Sequence, residues 1–168
     1  SGASDATAAA SVLLGCPTFP CRGPCRLPQT DPQSTPVLMV ASDALSRYGF
    51  GDGHPFGPDR QDAFLREMRR SPAYLELRIV DPRVAERDEL EAFHRAEYVD
   101  LVVQTSAAGR GYLDVGDTPA SKGIFEASSL VVGGTLLAVE EIMGGRARRG
   151  FIPIAGLHHA SRAHAAGF

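Results

Sequence analysis

The segment Lys122 to Met143 constrains the fold most. It reads as one long helix, with Leu130, Val131, Gly134, Leu137, Ala138 and Glu141 marking its faces. Much of it is apolar all round. A surface helix keeps a polar side, whereas one that is apolar on nearly every side must be covered, and a sheet provides that cover. Gly144-Gly145 stops the helix.

The strands that could cover it are legible on both sides. Pro36-Val37-Leu38-Met39-Val40-Ala41-Ser42 is a short continuous apolar run, the pattern of a strand buried on both faces. Leu75 to Val80 alternates and predicts a second strand, near an edge, ended by Asp81-Pro82. Phe151 to Gly156 predicts a third, although Pro153 inside it removes a ladder donor. Between them, Asp59 to Arg70 is an amphipathic helix with Phe64, Leu65 and Met68 on one face. Glu86 to Phe93 and Ala96 to Ser106 predict two more helices, and Arg110 to Ala120 a Gly-, Asp- and Pro-rich loop. Strands alternating with helices imply an α/β fold, a parallel sheet with helices on both faces. Three strands make a thin sheet, so the expected fold is incomplete in this chain.

Residues 1–36 differ from the rest. Pro17, Pro20, Pro24, Pro28, Pro32 and Pro36 punctuate a run with no apolar period, which neither propagates a helix nor pairs as a central strand. The three cysteines all lie there, at Cys16, Cys21 and Cys25. Their spacing fits no zinc-finger pattern, so they read as free thiols in a flexible leader. No Lys or Arg precedes the mildly apolar stretch Ala8–Cys16, which therefore lacks the positive region of a secretory signal. Residues 37–168 form the expected globular part, a cytoplasmic protein.

Composition narrows the function classes. A hydrophobic fraction of 43% across 168 residues excludes a largely disordered chain. A net charge of −3 gives no basic footprint for nucleic acid. No apolar run approaches the length of about 18 residues that spans a bilayer.

The chemistry-bearing block follows the third strand: Gly156-Leu157-His158-His159-Ala160. Ligands of open α/β sheets bind beyond the carboxyl ends of the strands. Two imidazoles there are candidates for acid–base work or metal binding. Adjacent extended residues point opposite ways, so a turn must bring both to one site, and the neighbouring Gly permits it. The same pair also suits two ordinary loop histidines.

Three further blocks set that pair in context. Gly51-Asp52-Gly53-His54-Pro55-Phe56-Gly57-Pro58-Asp59-Arg60 fits a GxGHPxxPxR pattern, and Phe93-His94-Arg95-Ala96-Glu97-Tyr98-Val99 an FHxxEYV pattern. Gly116-Asp117-Thr118-Pro119 precedes the long helix with its Gly133-Gly134-Thr135, and the His pair runs on to Gly167-Phe168. In this order the blocks resemble the histone deacetylase superfamily over residues 37–168, most of all the bacterial acetoin-utilisation (AcuC-type) deacetylases.

That resemblance implies an arginase/deacetylase-like fold and a zinc-dependent amidohydrolase that removes acetyl from lysine. It makes His158 and His159 the catalytic pair on the attacking water, one as base and the other protonating the leaving amine. Asp117 resembles the rim Asp that holds the substrate backbone. Gly167 and Phe168 resemble the tunnel wall around the acyl-lysine stem. Arg60 resembles the Arg near an internal acetate cavity. Tyr48 resembles an aromatic before the His-Pro block, with no assigned role. His54 is expected to pack or hydrogen-bond in its own loop, and His94 and His164 to lie on the surface.

The family's zinc ligands follow the Gly-Phe step, so none is expected among these residues, and zinc is expected only in the complete domain. The expected partners are an acetylated protein or acetylated amine, together with the missing carboxyl-terminal part or an oligomer partner. Alone, the chain is expected to be inactive and to fold poorly, as a truncated, cleaved or split protein. Two other functions stay open, a non-catalytic deacetylase-like binding module and an acetylpolyamine amidohydrolase. An arginase-like two-metal site is disfavoured, because no carboxylate-rich metal motif is visible.

Overall fold

The computed structural model describes residues 36–50, 54, 56–57, 59–116, 118–156 and 159–167. Residues 1–35, which hold the Pro- and Cys-rich stretch, lie outside the described residues. Three strands, β1 (Val37–Val40), β2 (Leu77–Val80) and β3 (Arg149–Phe151), form a parallel sheet in the order β2-β1-β3. Among the described residues, four α-helices accompany them: α1 (Asp59–Met68), α2 (Arg87–Glu91), α3 (Ala96–Ala108) and α4 (Ile124–Met143).

The apolar run makes β1 the central strand. Its alternate residues serve opposite faces. Leu38 and Val40 pack with Ala138 of α4 and with Ala147, while Met39 and Ala41 pack with Leu65 of α1. Helices therefore cover both faces, as the continuous hydrophobicity of β1 requires. Leu38, Met39 and Val40 have no exposed surface, and burying each contributes about 1.5–3 kcal/mol.

The chain after β2 lies directly on α4. The Ala85 N–H donates to the Ser129 carbonyl at 2.9 Å. A Cβ placed on Gly133 would stand 2.0 Å from the Arg83 carbonyl oxygen and 2.6 Å from the Ala85 nitrogen. Only glycine admits a backbone that close. Arg83 then ties this crossing to two helices, donating to Glu89 of α2 through Nη1 and Nη2 and to Glu140 of α4 through Nη2 at 2.6 Å. Arg78 of β2 pairs with Glu141. Ser106 of α3 accepts the Phe125 N–H at 3.1 Å, so one helix satisfies a free donor in the first turn of the next.

Two strand boundaries differ from the sequence pattern. Residues 72–76 form a 3-10 turn rather than the start of β2: Ser71 accepts the Ala73 N–H, and Pro72 fixes the first turn. The edge position of β2 is as the pattern predicts. β3 covers Arg149–Phe151 rather than Phe151 to Gly156. Pro153 has no N–H to donate, and the ladder ends before it. Ile154 leaves the sheet and packs instead with Leu45 and Val131.

Candidate functional site

A cavity of about 240 Å³ lies beyond the carboxyl ends of the strands. Its walls come from segments that follow each strand in turn. Tyr48 and Phe50 follow β1; His94 and Tyr98 follow β2; Gly156 and Ala165 follow β3. Thr118 and Phe125 close it from the loop before α4 and from α4 itself. The lining is mainly apolar, with a few polar tips from these side chains, the composition of a small-molecule pocket. This is where an open α/β sheet binds its ligands.

Two phenols mark the wall. Tyr98 is buried, and its pKa is pushed up to about 12, first by that burial and then by the negative charge of Asp114 and by Tyr48. Burial also raises Tyr48. Both stay protonated at neutral pH, able to donate a hydrogen bond. The Tyr48 hydroxyl reaches the backbone at Gly156, where a Cβ would lie 3.9 Å away.

The loop after β3 is strapped down at several points. Arg162 accepts the Arg95 N–H through its carbonyl at 2.8 Å, and its guanidinium donates to the Phe93 carbonyl at 3.1 Å, with the guanidinium carbon 5.5 Å from the Phe93 ring centre. The Ala165 N–H donates to the Leu113 carbonyl at 3.1 Å, joining this loop to the one before α4. That second loop is pinched shut by Leu113 and Thr118 and by a Tyr112–Pro119 bridge.

His159 stands on the strapped loop, exposed. Its ring lies against Gly167: a Cβ there would come within 2.6 Å of the His159 Cδ2 atom, and the backbone has φ +67°, so glycine is required on both counts. The structure thus brings together His159 and Gly167. His158, Asp117 and Phe168 lie outside the described residues. Arg60 is exposed at the start of α1 with its guanidinium 3.9 Å over the Phe56 ring, and the cavity is lined without it.

The remaining histidines divide. His54 acts locally, accepting the Phe56 N–H through Nδ1 at 3.1 Å and lying 4.9 Å from the Phe50 ring. His164 is exposed, as expected. His94 is half-buried rather than fully at the surface: it lines the cavity, with its ring 5.1 Å from that of Tyr98, and among the described residues its buried Nδ1 has no hydrogen-bond partner. Its position just before α3, four residues ahead of buried Tyr98, was the signal in the sequence that could have placed it inside.

A catalytic zinc takes about three protein ligands. Among the described residues, no group of three His, Cys, Asp or Glu side chains is placed to hold a metal. These residues therefore do not by themselves fit a zinc centre. Among the described residues, no helix is long and apolar enough to cross a membrane.

Comparison with known proteins agrees with this architecture. The histone deacetylase domain model matches residues 54–168. The chain is 34% identical over 138 residues to the acetoin utilization protein AcuC of Bacillus subtilis, covering 78% of this chain and 36% of that protein. It is 31% identical over 142 residues to AcuC of Staphylococcus aureus, covering 80% of this chain and 36% of that protein. The chain thus spans little more than a third of the length of these relatives. The crystal structure of the HDA15 HD domain superposes with a TM-score of 0.71 at 25% identity, over 80% of this chain and 40% of that one. A family model over more than half of the chain, relatives above 30% identity and a shared fold lead to one conclusion: the chain belongs to the histone deacetylase family, and is AcuC-like over part of the family's domain.

Proposed function

We propose that these residues are the amino-terminal part of a zinc-dependent deacetylase that hydrolyses acetyl-lysine amides of a protein substrate in the cytoplasm. The observation that carries this reading is the position of His159. It stands on the loop that walls a small apolar cavity at the carboxyl ends of the strands. In the reaction, water adds to the acetyl carbonyl, the C–N bond breaks, and acetate and the lysine amine leave. His158 and His159 exchange the protons, one taking a proton from the water and the other giving one to the departing nitrogen. Asp117 holds the substrate backbone, and Gly167 with Phe168 walls the stem of the acyl-lysine. Tyr48 and Tyr98 keep the cavity wall uncharged. No product contact is assigned to Arg60, whose guanidinium is taken up by Phe56.

Zinc supplies carbonyl polarisation when bound. Its ligands must come from outside the described residues, and no step above runs through it.

The test is acetate release by the full-length, zinc-supplemented protein, with an acetyl-lysine peptide and an acetylated polyamine compared at equal concentration. The expected result is a higher kcat/KM for the peptide, lost on zinc chelation. A higher value for the polyamine would move the substrate class. Peptide binding without any acetate release would make the protein a binding module.

A further inference from the structure

The tip of the loop before α4 has almost no packing to hold it. Val115 is fully exposed and Tyr112 more than half exposed. Yet the loop is ordered around one carboxylate. Asp114 Oδ1 accepts the Gly116 N–H at 2.9 Å and the Thr118 N–H at 2.9 Å. Its Oδ2 accepts the Thr118 hydroxyl. Thr118 itself is buried and lines the cavity. The two backbone donors flank position 117 on either side, so a single side chain fixes the chain entering and leaving that residue. Charge-assisted bonds of this kind are roughly twice as strong as neutral ones. The same loop carries the Leu113 carbonyl that anchors Ala165, so the arrangement is continuous with the His159 loop.

We propose that Asp114 is the positioning residue of this rim loop: it sets the backbone on both sides of Asp117 so that Asp117 can hold the substrate main chain. The inference rests on the reading of Asp117 given above and deepens it. Asp114 does not touch substrate, since its oxygens are engaged by the loop's own N–H and O–H groups. Its loss acts on substrate binding rather than on proton transfer.

The test uses the full-length protein and a fluorescent acetyl-lysine peptide, reading KM and kcat from turnover and Kd from anisotropy. Asp114→Ala removes the acceptor of the Gly116 and Thr118 N–H groups and of the Thr118 hydroxyl, and should raise KM and Kd about tenfold, with kcat within about twofold. Asp114→Asn keeps an acceptor for the two backbone donors and should hold the rise to about threefold. In an Asp117→Ala background, Asp114→Ala should add nothing, because the residue acts only through Asp117. The proposal is overturned if Asp114→Ala leaves KM and Kd unchanged while Asp117→Ala raises them, or if the two losses multiply. If Asp117→Ala itself leaves peptide binding unchanged, or the unsubstituted protein does not bind the peptide, the underlying reading of Asp117 falls and takes the proposal with it. Should Asp114→Ala fail to fold, Thr118→Val removes only the hydroxyl bond. It should raise KM about twofold to threefold, and an unchanged KM would again overturn the proposal.

Discussion

Leu38, Met39 and Val40 are wholly buried in the middle strand, whereas His159 stands exposed on a loop held by scattered hydrogen bonds. The seam of α4 with β1 and with the chain crossing from β2 to α2 is a packing problem. It is solved by apolar side chains on alternate residues and by a glycine that lets two backbones meet. The loops over the cavity are a polar problem. They are solved by a carboxylate accepting N–H groups, by carbonyls such as those of Phe93 and Leu113, and by a guanidinium on an aromatic ring. Packing is cooperative and unforgiving of added volume. The loop contacts are separate, each of modest strength, and can be lost singly. Damage to the seam should therefore appear as lost folding, and damage to the loops as lost function with the fold intact.

The largest effect should come where that contrast is sharpest. Gly133→Ala puts a methyl group onto backbone atoms that cannot swing away. It should cost more than about 3 kcal/mol, seen as loss of the cooperative thermal transition or of soluble full-length protein. An unchanged Tm would show that the β2–α2 crossing is not seated on α4 as described. Leu38→Ala should cost about 3 kcal/mol, read from the urea midpoint at unchanged slope. It should leave the peptide Kd of the folded fraction alone.

How far the sequence could be read divides along the same line. The hydrophobic pattern was enough to place β1, the edge position of β2 and the α4 helix, because those elements are fixed by periodicity, but α4 is covered on one side only: Val131 and Ala138 are buried while Val132, Val139 and Met143 stand exposed. The pattern misled at β3, where Phe151, Ile152 and Ile154 read as one strand. A proline cannot be seen to end a ladder without knowing which donors the ladder needs. His94 was misplaced for a similar reason: a histidine at a helix start looks solvated until Tyr98 and the cavity beneath it are known. The polar holding of the rim loop by Asp114 has no periodic signature at all. The His pair was legible only through its company of blocks, and the structure describes one member, His159, against Gly167.

Smaller effects sharpen the loop side of the comparison. Arg162→Ala removes the bond to the Phe93 carbonyl and the ring contact, and should ease local opening by about 1 kcal/mol. Faster amide exchange at Ala165 with an unchanged Tm is the expected signature, and a global loss of protection would place this loop with the core instead. The smallest effect is a pH dependence at the Arg83 junction. The Arg83 guanidinium, and then the Glu86 N–H, hold the Glu89 carboxyl at about 2, below its ordinary 4.5. A folded-state value below the unfolded one means that Glu89 stabilises the fold above about pH 4.5. That contribution is lost as the pH falls from there towards 2. Glu89→Gln should thus lower Tm slightly at pH 7, with the difference from the unsubstituted protein vanishing near pH 2. A difference constant across that range would show that the pairing is not ionic.

The most direct measurement is acetate release from an acetyl-lysine peptide by full-length His159→Ala, set against the unsubstituted protein and normalised to the folded fraction. The predicted result is a fall in kcat of about a thousandfold, within the range of a lost acid–base group, with Tm unchanged. A His159→Ala protein that turns over at the original rate would contradict the assignment of this loop as the seat of the chemistry.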